Sequence, residues 1–529
     1  MALVLTACGG SATSPTGQGT DEGTAPQTQQ VLVWGRGGDS VSLDPANVTD
    51  GESLKVTIQI FDTLLRFEGD TTNVGPSLAE SCQPNQDATV FTCTLRQGVQ
   101  FQDGTPFNAD AVVFNFDRWR KTDNPYRFPG ENFAYYEYMF GGFDNDSIIQ
   151  DVKALDEYTV QFQLKEPLAP FLQNIAMPAF AIASPAAIQA YKESFAQHPV
   201  GTGPFTFVSW APDDRIVLAR NDQYWDTPAK LDQLIYRVIP DNGERLLELQ
   251  AGTIQFADGI NPADVSVIKS DPNLQLFIRP ANDIGYMAMN MEKKPFDDVR
   301  VRLAINYAIN KDALVKAFYG DLGQVANTPL PPKMWGHDSD LKYPYDPEKA
   351  KQLLAEAGFP NGFETELWAM SNPRPYFPEP QKMAEAIAND LSQVGIKVKL
   401  VVYPWSTYLQ KTENGEHTMA LLGWIGDNGD PDNFLYVLLD KDNAVKGSAG
   451  NIAFYKSDSL HDILIRAQRI PDQKERERLY IEAQKIIFND APWAPLVYAE
   501  DPVAASAKVQ GYVASPLGLE QLTQVSLKP

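Results

Sequence analysis

Between residues 285 and 425 the spacing of apolar residues alternates between the helical period and the strand period. In residues 298–311, Val299, Leu303 and Tyr307 fall on one side of a predicted helix. The same reasoning predicts a helix from Asp346-Pro347 to Gly358, a helix at 381–394, and strands at 363–370, 396–403 and 418–424. Because strands and helices alternate, the sequence predicts an α/β fold with a parallel sheet.

The length of the chain allows more than one domain. With 529 residues, of which 43% are hydrophobic, the chain can form two or three packed cores. Val31-Leu32-Val33-Trp34 reads as a buried strand. Residues 66–196 mix short strands with helical stretches, which predicts an inserted α+β subdomain.

The charge of the chain argues against nucleic acid as a partner. Acidic residues outnumber basic ones 68 to 44, for a net charge of −24, and no run of Lys and Arg forms a basic stripe. The sequence also lacks the roughly 18–20 consecutive apolar residues of a membrane-spanning helix.

The N-terminal residues resemble the end of a lipoprotein signal. Leu5-Thr6-Ala7-Cys8 is similar to the lipobox of bacterial lipoproteins, in which the cysteine is acylated, although most of the signal ahead of it is missing. Residues 9–30 are mainly Ser, Thr, Gly, Gln, Pro and Ala. We therefore expect residues 1–30 to comprise a truncated signal, a lipidated Cys8 and a flexible tether.

The other two cysteines flank a predicted turn. Cys82 precedes a turn-rich segment, and Cys93 lies in a segment with strand-like alternation. Across a hairpin the two could form a disulfide, which is typical of an oxidising compartment. A pair of buried thiols is the alternative.

The predicted strands of the α/β region end in unusual loops. In such sheets ligands bind beyond the carboxyl ends of the strands. The loops carry Arg374 between two prolines, then Trp405, and then Trp424 with Asp427. An arginine and an aspartate with aromatic walls between them would fit a zwitterion such as a short peptide. The alternative is that Arg374 pairs with a neighbouring acid and Asp427 caps a turn.

The sequence gives little support for a catalytic site or a metal-binding site. Residues 427–433 do not match an EF-hand, the four histidines lack metal-ligand spacing, and no Gly-x-Ser-x-Gly elbow occurs. We expect no catalytic residue, no metal and no cofactor, and therefore a protein that is not an enzyme.

Four segments resemble landmarks of one family. The segments are Leu95-Arg96-Gln97-Gly98-Val99-Gln100-Phe101 with its continuation to residue 112, Gly201-Thr202-Gly203-Pro204-Phe205, Arg220-Asn221-Asp222-Gln223-Tyr224-Trp225 and Asp298-Val299-Arg300-Val301-Arg302. In this order they resemble the dipeptide and oligopeptide class of ABC-transporter solute-binding proteins (family 5), from about residue 31 to the C-terminus.

The resemblance implies a two-lobed periplasmic-binding-protein-like fold with the ligand between the lobes. Lobe I would comprise residues 31–285 and 500–529, with the inserted subdomain at 66–196, and lobe II residues 286–499. From lobe I, backbone of residues 35–45 is expected at the ligand.

The resemblance also implies roles for individual residues. Residues 426–433, together with 368–370, 374–376 and Lys311, are most similar to the dipeptide-binding members. Their aspartate for the peptide amine falls on Asp427, and their arginine for the peptide carboxylate falls on Arg374. Tyr376, Trp405 and Trp424 would line the pocket.

The implied function is an extracytoplasmic receptor that delivers short peptides to the permease of an ABC importer. The protein would be a monomeric cell-envelope lipoprotein that reaches the membrane only through its lipid. Other members of the class take longer peptides, glutathione, nickel, haem or oligosaccharides, and these ligands remain alternatives. A secreted hydrolase is the alternative from another class.

Overall fold

The computed structural model describes residues 29–528. Cys8 and most of the predicted tether lie outside the described residues. The described chain folds around two large sheets, a four-stranded sheet and two short strand pairs. Helices pack on these sheets, so the protein is a mixed α/β structure.

The first large sheet combines strands from both ends of the described chain. Its strands lie in the order Leu274–Arg279, Asp501–Ser506, Phe256–Ala257, Val31–Arg36, Gln233–Val238, Arg215–Arg220 and Phe205–Ala211. The predicted strand at residues 31–34 pairs in parallel with Gln233–Val238, and Leu32 and Trp34 are buried in the core. The strand Asp501–Ser506 is antiparallel to both of its neighbours.

The second large sheet contains the predicted α/β region. Its strands lie in the order Gly323–Val325, Trp493–Ala499, Asp283–Met289, Met419–Ile425, Glu364–Met370 and Lys397–Tyr403. The three strands predicted from the sequence are parallel to one another. The remaining pairs are antiparallel, so the sheet is mixed and the prediction of a parallel sheet holds only for this half.

The α-helices within the described residues are Gly51–Ile60, Ala109–Arg120, Ala134–Phe140, Phe171–Ile175, Pro185–Tyr191, Asn242–Ala251, Val265–Ser270, Val299–Ala308, Lys311–Phe318, Pro347–Glu356, Pro380–Ser392, Trp405–Glu413, Asp432–Leu439, Asp458–Arg469 and Gln473–Asp490. Asp346 caps its helix as predicted by accepting a hydrogen bond from the Lys349 amide. The helix predicted through Lys311 instead ends at Ala308, because Asn310 caps a second helix. No helix in this part of the chain is long and apolar enough to span a bilayer.

The four-stranded sheet lies within the predicted inserted subdomain. Its strands lie in the order Ala79–Pro84, Val90–Leu95, Thr159–Leu164 and Ile149–Asp156. Cys82 and Cys93 face each other across the first hairpin and form a disulfide, which confirms that prediction. The short pairs join Leu65–Phe67 to Val74–Pro76 and Val509–Gln510 to Ser526–Leu527.

The chain passes twice between the two large sheets. It leaves the first sheet after Arg279 and enters the second at Asp283, and it returns between Ala499 and Asp501. These passages lie within a few residues of the expected limits. That the two parts move as separate lobes stays a prediction.

Candidate functional site

A cavity of about 120 Å³ lies between the two large sheets. Its walls come from the region of the first sheet (within residues 49–55), from the predicted inserted subdomain (Tyr135 and Tyr138, here called the inserted region) and from the loops of the second sheet. All five predicted binding residues line it, namely Arg374, Tyr376, Trp405, Trp424 and Asp427. The carboxyl ends of the parallel strands Glu364–Met370, Lys397–Tyr403 and Met419–Ile425 bring their loops together.

The loop after the first of these strands is closed by a tight turn. The Arg374 amide donates to the Phe377 carbonyl at 2.9 Å, and the Phe377 amide donates back to the Arg374 carbonyl at 2.9 Å. Pro375 lies inside the turn, where its fixed φ reduces the entropy lost on folding. The turn therefore holds Arg374 and Tyr376 in a defined orientation on the cavity wall.

Arg374 is buried and paired with an acid. Its Nη1 lies 3.3 Å from Glu52 Oε1, and its guanidinium lies 4.0 Å from the centre of the Trp405 ring. Burial acts to lower the pKa of Arg374, but Tyr376, Glu52 and Asp50 together raise it above its ordinary value. The buried Nε–H has no hydrogen-bond partner among the described residues, so the pair with Glu52 leaves the guanidinium with unused donor capacity.

Asp427 is held by two neutral donors. The Tyr135 hydroxyl donates to its Oδ1 at 2.7 Å, and Asn433 Nδ2 donates to its Oδ2 at 3.0 Å. The Asn433 Oδ1 in turn accepts from the Asp427 amide at 2.9 Å and from Trp424 Nε1 at 3.0 Å. One asparagine thus fixes both the aspartate and the tryptophan.

Within residues 29–528 no cation pairs with the Asp427 carboxylate. Burial raises its pKa to about 7, against the smaller opposite effect of the hydrogen bonds from Tyr135 and Asn433. A buried carboxylate without a counterion is costly to ionise. A cationic group placed in the cavity would remove that cost.

The aromatic wall depends on a glycine. A Cβ atom at Gly423 would lie 2.3 Å from Cγ of Tyr376, so only glycine lets this ring lie against the strand Met419–Ile425. Trp424 meets the Tyr135 ring edge-on, with ring centres 6.2 Å apart. The cavity therefore has apolar sides between its two charged groups.

The sequence did not identify the residues from the first half of the chain. The expected backbone of residues 35–45 does not line the cavity, whereas residues 49–52, 54 and 55 do. The Gly37 carbonyl instead accepts a hydrogen bond from Asn372 at 3.3 Å, so this segment contacts the arginine loop. The Asp50 cap of the helix Gly51–Ile60 is a local signal that could have drawn attention to this region.

Two further groups from distant segments also line the cavity. They are Tyr135 and Tyr138 of the inserted region, and the segment 517–519 near the C-terminus. The aromatic run at residues 135–140 is the available sequence signal, but nothing in it indicates Asp427 as a partner.

The other acids of the Asp427 loop face away from the cavity. Asp430 forms two hydrogen bonds of 2.7 Å with Arg476, and Asp432 accepts from Gln468 at 3.1 Å. Asp427, Asp430 and Asp432 therefore hydrogen-bond to different partners, and their carboxylates do not surround a common centre.

One group of residues outside the cavity has the spacing of metal ligands. In the described chain, ligand atoms of Asp440, Asp442 and His461 lie within 4.8 Å of one another. His461 Nδ1 lies 3.0 Å from Asp440 Oδ1, and this hydrogen bond explains why the histidine lies beside the two acids.

Comparison with known proteins identifies the family. The model described as bacterial extracellular solute-binding proteins, family 5 Middle, matches residues 73–446. The chain belongs to this family. Membership confirms the predicted family-5 solute-binding-protein fold, and the family consists of binding proteins.

Full-length relatives extend the match. The dipeptide-binding protein of Escherichia coli K12 is 37% identical over 513 residues, covering 94% of this chain and 95% of that protein. Heme-binding protein A of Haemophilus influenzae is 36% identical over 538 residues, covering 99% of this chain and 97% of that protein.

A solved structure gives the same result. The ABC transporter-associated periplasmic binding protein DppA of Helicobacter pylori, in complex with the peptide STSA, has a TM-score of 0.90 and 40% identity. The match covers 94% of this chain and 98% of that one.

Proposed function

We propose that this protein is an extracytoplasmic receptor that binds short peptides, dipeptides above all, and delivers them to the permease of an ABC importer. The observation that carries the proposal is the buried Asp427 carboxylate, which faces the cavity without a cationic partner among the described residues. A peptide ammonium would supply the missing charge. Arg374, whose guanidinium keeps donors beyond the pair with Glu52, would bind the peptide carboxylate.

The arrangement favours a zwitterion over a sugar. Trp405 and Trp424 could stack on a sugar ring as well as on a peptide plane. A neutral sugar, however, would leave Asp427 without a counterion inside a closed cavity. The named relatives that bind a dipeptide or the peptide STSA support the same choice.

The ligand would lie between two lobes. We propose residues 31–285 with 500–529 as lobe I and residues 286–499 as lobe II, closing together on the peptide. We also propose that Cys8 carries a lipid, that the protein acts as a monomer, and that it is not an enzyme.

A calorimetric titration of ligand-stripped protein tests the proposal. The panel comprises free dipeptides, N-acetylated dipeptides, tetrapeptides and cellobiose. We expect free dipeptides to bind with micromolar or tighter affinity, corresponding to about −8 kcal/mol, and acetylation to abolish binding because it removes the ammonium. Binding of cellobiose without any peptide would refute the proposed ligand. Mass spectrometry of the recovered peptide should find it uncleaved, whereas cleavage products would indicate a hydrolase.

A further inference from the structure

A second acidic side chain without a partner lines the same cavity. Glu413 is the last residue of the helix Trp405–Glu413 and belongs to the cavity wall. Its carboxylate has no hydrogen-bond or ion-pair partner among residues 29–528, and burial raises its pKa to about 7. Neither the predicted carboxylate site nor the predicted amine site makes use of it.

Glu413 lies toward the Asp427 end of the cavity. Trp405, at the first turn of its helix, stacks on Arg374, and eight residues at 1.5 Å each put Glu413 about 12 Å farther along the axis. Burial raises the pKa of the Tyr138 phenol, and the nearby charge of Glu413 raises it further. The Tyr138 ring centre is 6.2 Å from that of Tyr135, whose hydroxyl donates to Asp427.

The local electrostatics favour a cation beside Glu413. The carboxylate lies at a helix C-terminus, where the unpaired carbonyls add partial negative charge. Among the described residues of the cavity wall five are acidic and three are basic. Each of the three bases already has an acidic partner: Lys55 pairs with Asp258, Arg279 with Glu520, and Arg374 with Glu52.

The surroundings of Glu413 also fit a long aliphatic stem. Apolar groups of Leu438, Ala449 and Ile452 line the same cavity. A lysine or arginine side chain has an apolar stem and a charged end, so it could pack on these groups while its charge meets the carboxylate.

We propose that Glu413 binds the cationic side chain of the ligand's first residue, so that the receptor prefers peptides that begin with lysine or arginine. The inference rests on the proposed peptide function, because the first residue is placed by its ammonium at Asp427. The preference would come from pairing a buried carboxylate that otherwise has no counterion.

Calorimetry with Lys-Ala, norleucyl-Ala and Ala-Lys tests this inference. Norleucine has a similar aliphatic chain but no charge. We expect the wild type to bind Lys-Ala at least about tenfold more tightly than norleucyl-Ala and Ala-Lys, which corresponds to one close charge pair. The variant E413Q should bring the ratio of Lys-Ala to norleucyl-Ala affinities close to one.

A matched control is E416Q. Glu416 is an exposed acid three residues farther along the chain, and it pairs with Lys411 outside the cavity. The wild-type ratio should persist in E416Q. If the wild type binds Lys-Ala and norleucyl-Ala equally, or if E413Q keeps the preference, the role of Glu413 is wrong while the peptide function stands. A preference for Ala-Lys would refute the placement at the first residue. If no dipeptide binds, the proposed function fails and this inference fails with it.

Discussion

At the scale of single residues, the two groups proposed to bind the peptide ends differ in their surroundings. Arg374 already has a carboxylate 3.3 Å away and an aromatic face beneath it, so its charge is stabilised before any ligand arrives. Among the described residues, the Asp427 carboxylate accepts side-chain hydrogen bonds only from the Tyr135 phenol and the Asn433 amide. Ligand binding should therefore change the ionisation of Asp427 more than that of Arg374.

Peptide affinity should depend on pH through Asp427. The pKa of its carboxyl in the free protein is about 7. Above that pH the carboxylate is ionised and affinity is full; as pH falls below it, a proton competes with the ammonium and affinity drops about tenfold per unit. Titration of a dipeptide with uncharged side chains at pH 5.5, 6.5 and 7.5 measures this slope. An affinity that is constant over the range would contradict the contact.

The substitution D427N should weaken dipeptide binding at pH 7.5 by about 30-fold or more, because the ammonium would be buried without a counterion. Its residual affinity should not vary between pH 5.5 and 7.5. Calorimetry with the same dipeptide is the measurement, and wild-type affinity in D427N would refute amine binding at this residue.

The substitution R374K tests the other end of the ligand. Lysine keeps the positive charge but loses the planar donors and the stacking on Trp405, so dipeptide affinity should fall by about tenfold. A dipeptide amide, which lacks the carboxylate, should lose less. The control R300K changes an exposed arginine that pairs with Asp298 and should bind normally. Equal losses for the free acid and the amide would argue against carboxylate recognition.

At the scale of elements, the loop that carries Asp427 is tied to a helix behind it. Arg476 of the helix Gln473–Asp490 holds both Asp430 oxygens at 2.7 Å, and its charge also opposes the rise that burial causes in the pKa of Asp432. The position of the ligand loop therefore depends on a buried ion pair outside the cavity.

Removal of that arginine should destabilise the protein. We expect R476M to lower the free energy of unfolding by about 3–5 kcal/mol, because Asp430 is left buried and unpaired. The control R478M removes an exposed arginine from the same helix and should change stability by less than about 0.5 kcal/mol. Urea denaturation followed by circular dichroism measures both. Equal effects of the two substitutions would show that the buried pair does not fix the loop.

At the scale of the whole molecule, the two sheet regions meet across the cavity. Arg374 contacts Glu52, Asp427 contacts Tyr135 and Asn372 contacts Gly37, so each contact joins residues far apart in the chain. A peptide that touches both sides would add to these contacts only when the regions are close together.

Ligand binding should therefore compact the protein. We expect small-angle X-ray scattering to give a smaller radius of gyration with a saturating dipeptide than without it, because the ligand shifts the population toward the closed form. An N-acetylated dipeptide serves as the control and should leave the scattering curve unchanged. Identical curves with and without the free dipeptide would refute closure on the ligand.

The sequence predicted those features of the fold that depend on residues close together in the chain. Strand ends, the Asp346 cap and the Cys82–Cys93 hairpin follow from local patterns, and five cavity residues lie on the predicted strand-end loops. The break before Lys311 was missed because the apolar periodicity continues across it. The contacts of Glu52 and Tyr135 were missed because each partner lies hundreds of residues away and carries no matching signal in the sequence.

The strand Asp501–Ser506 occupies an interior position in the first sheet, although Asp501 follows its partner Arg279 by 222 residues. During synthesis, the two strands that flank it emerge long before it does. The first sheet therefore lacks an interior strand while the residues of the second sheet are translated. Contacts across so long a stretch of chain also form slowly. Strand order thus delays the completion of both large sheets until nearly all of the chain has left the ribosome, because each needs a strand from residues 493–506.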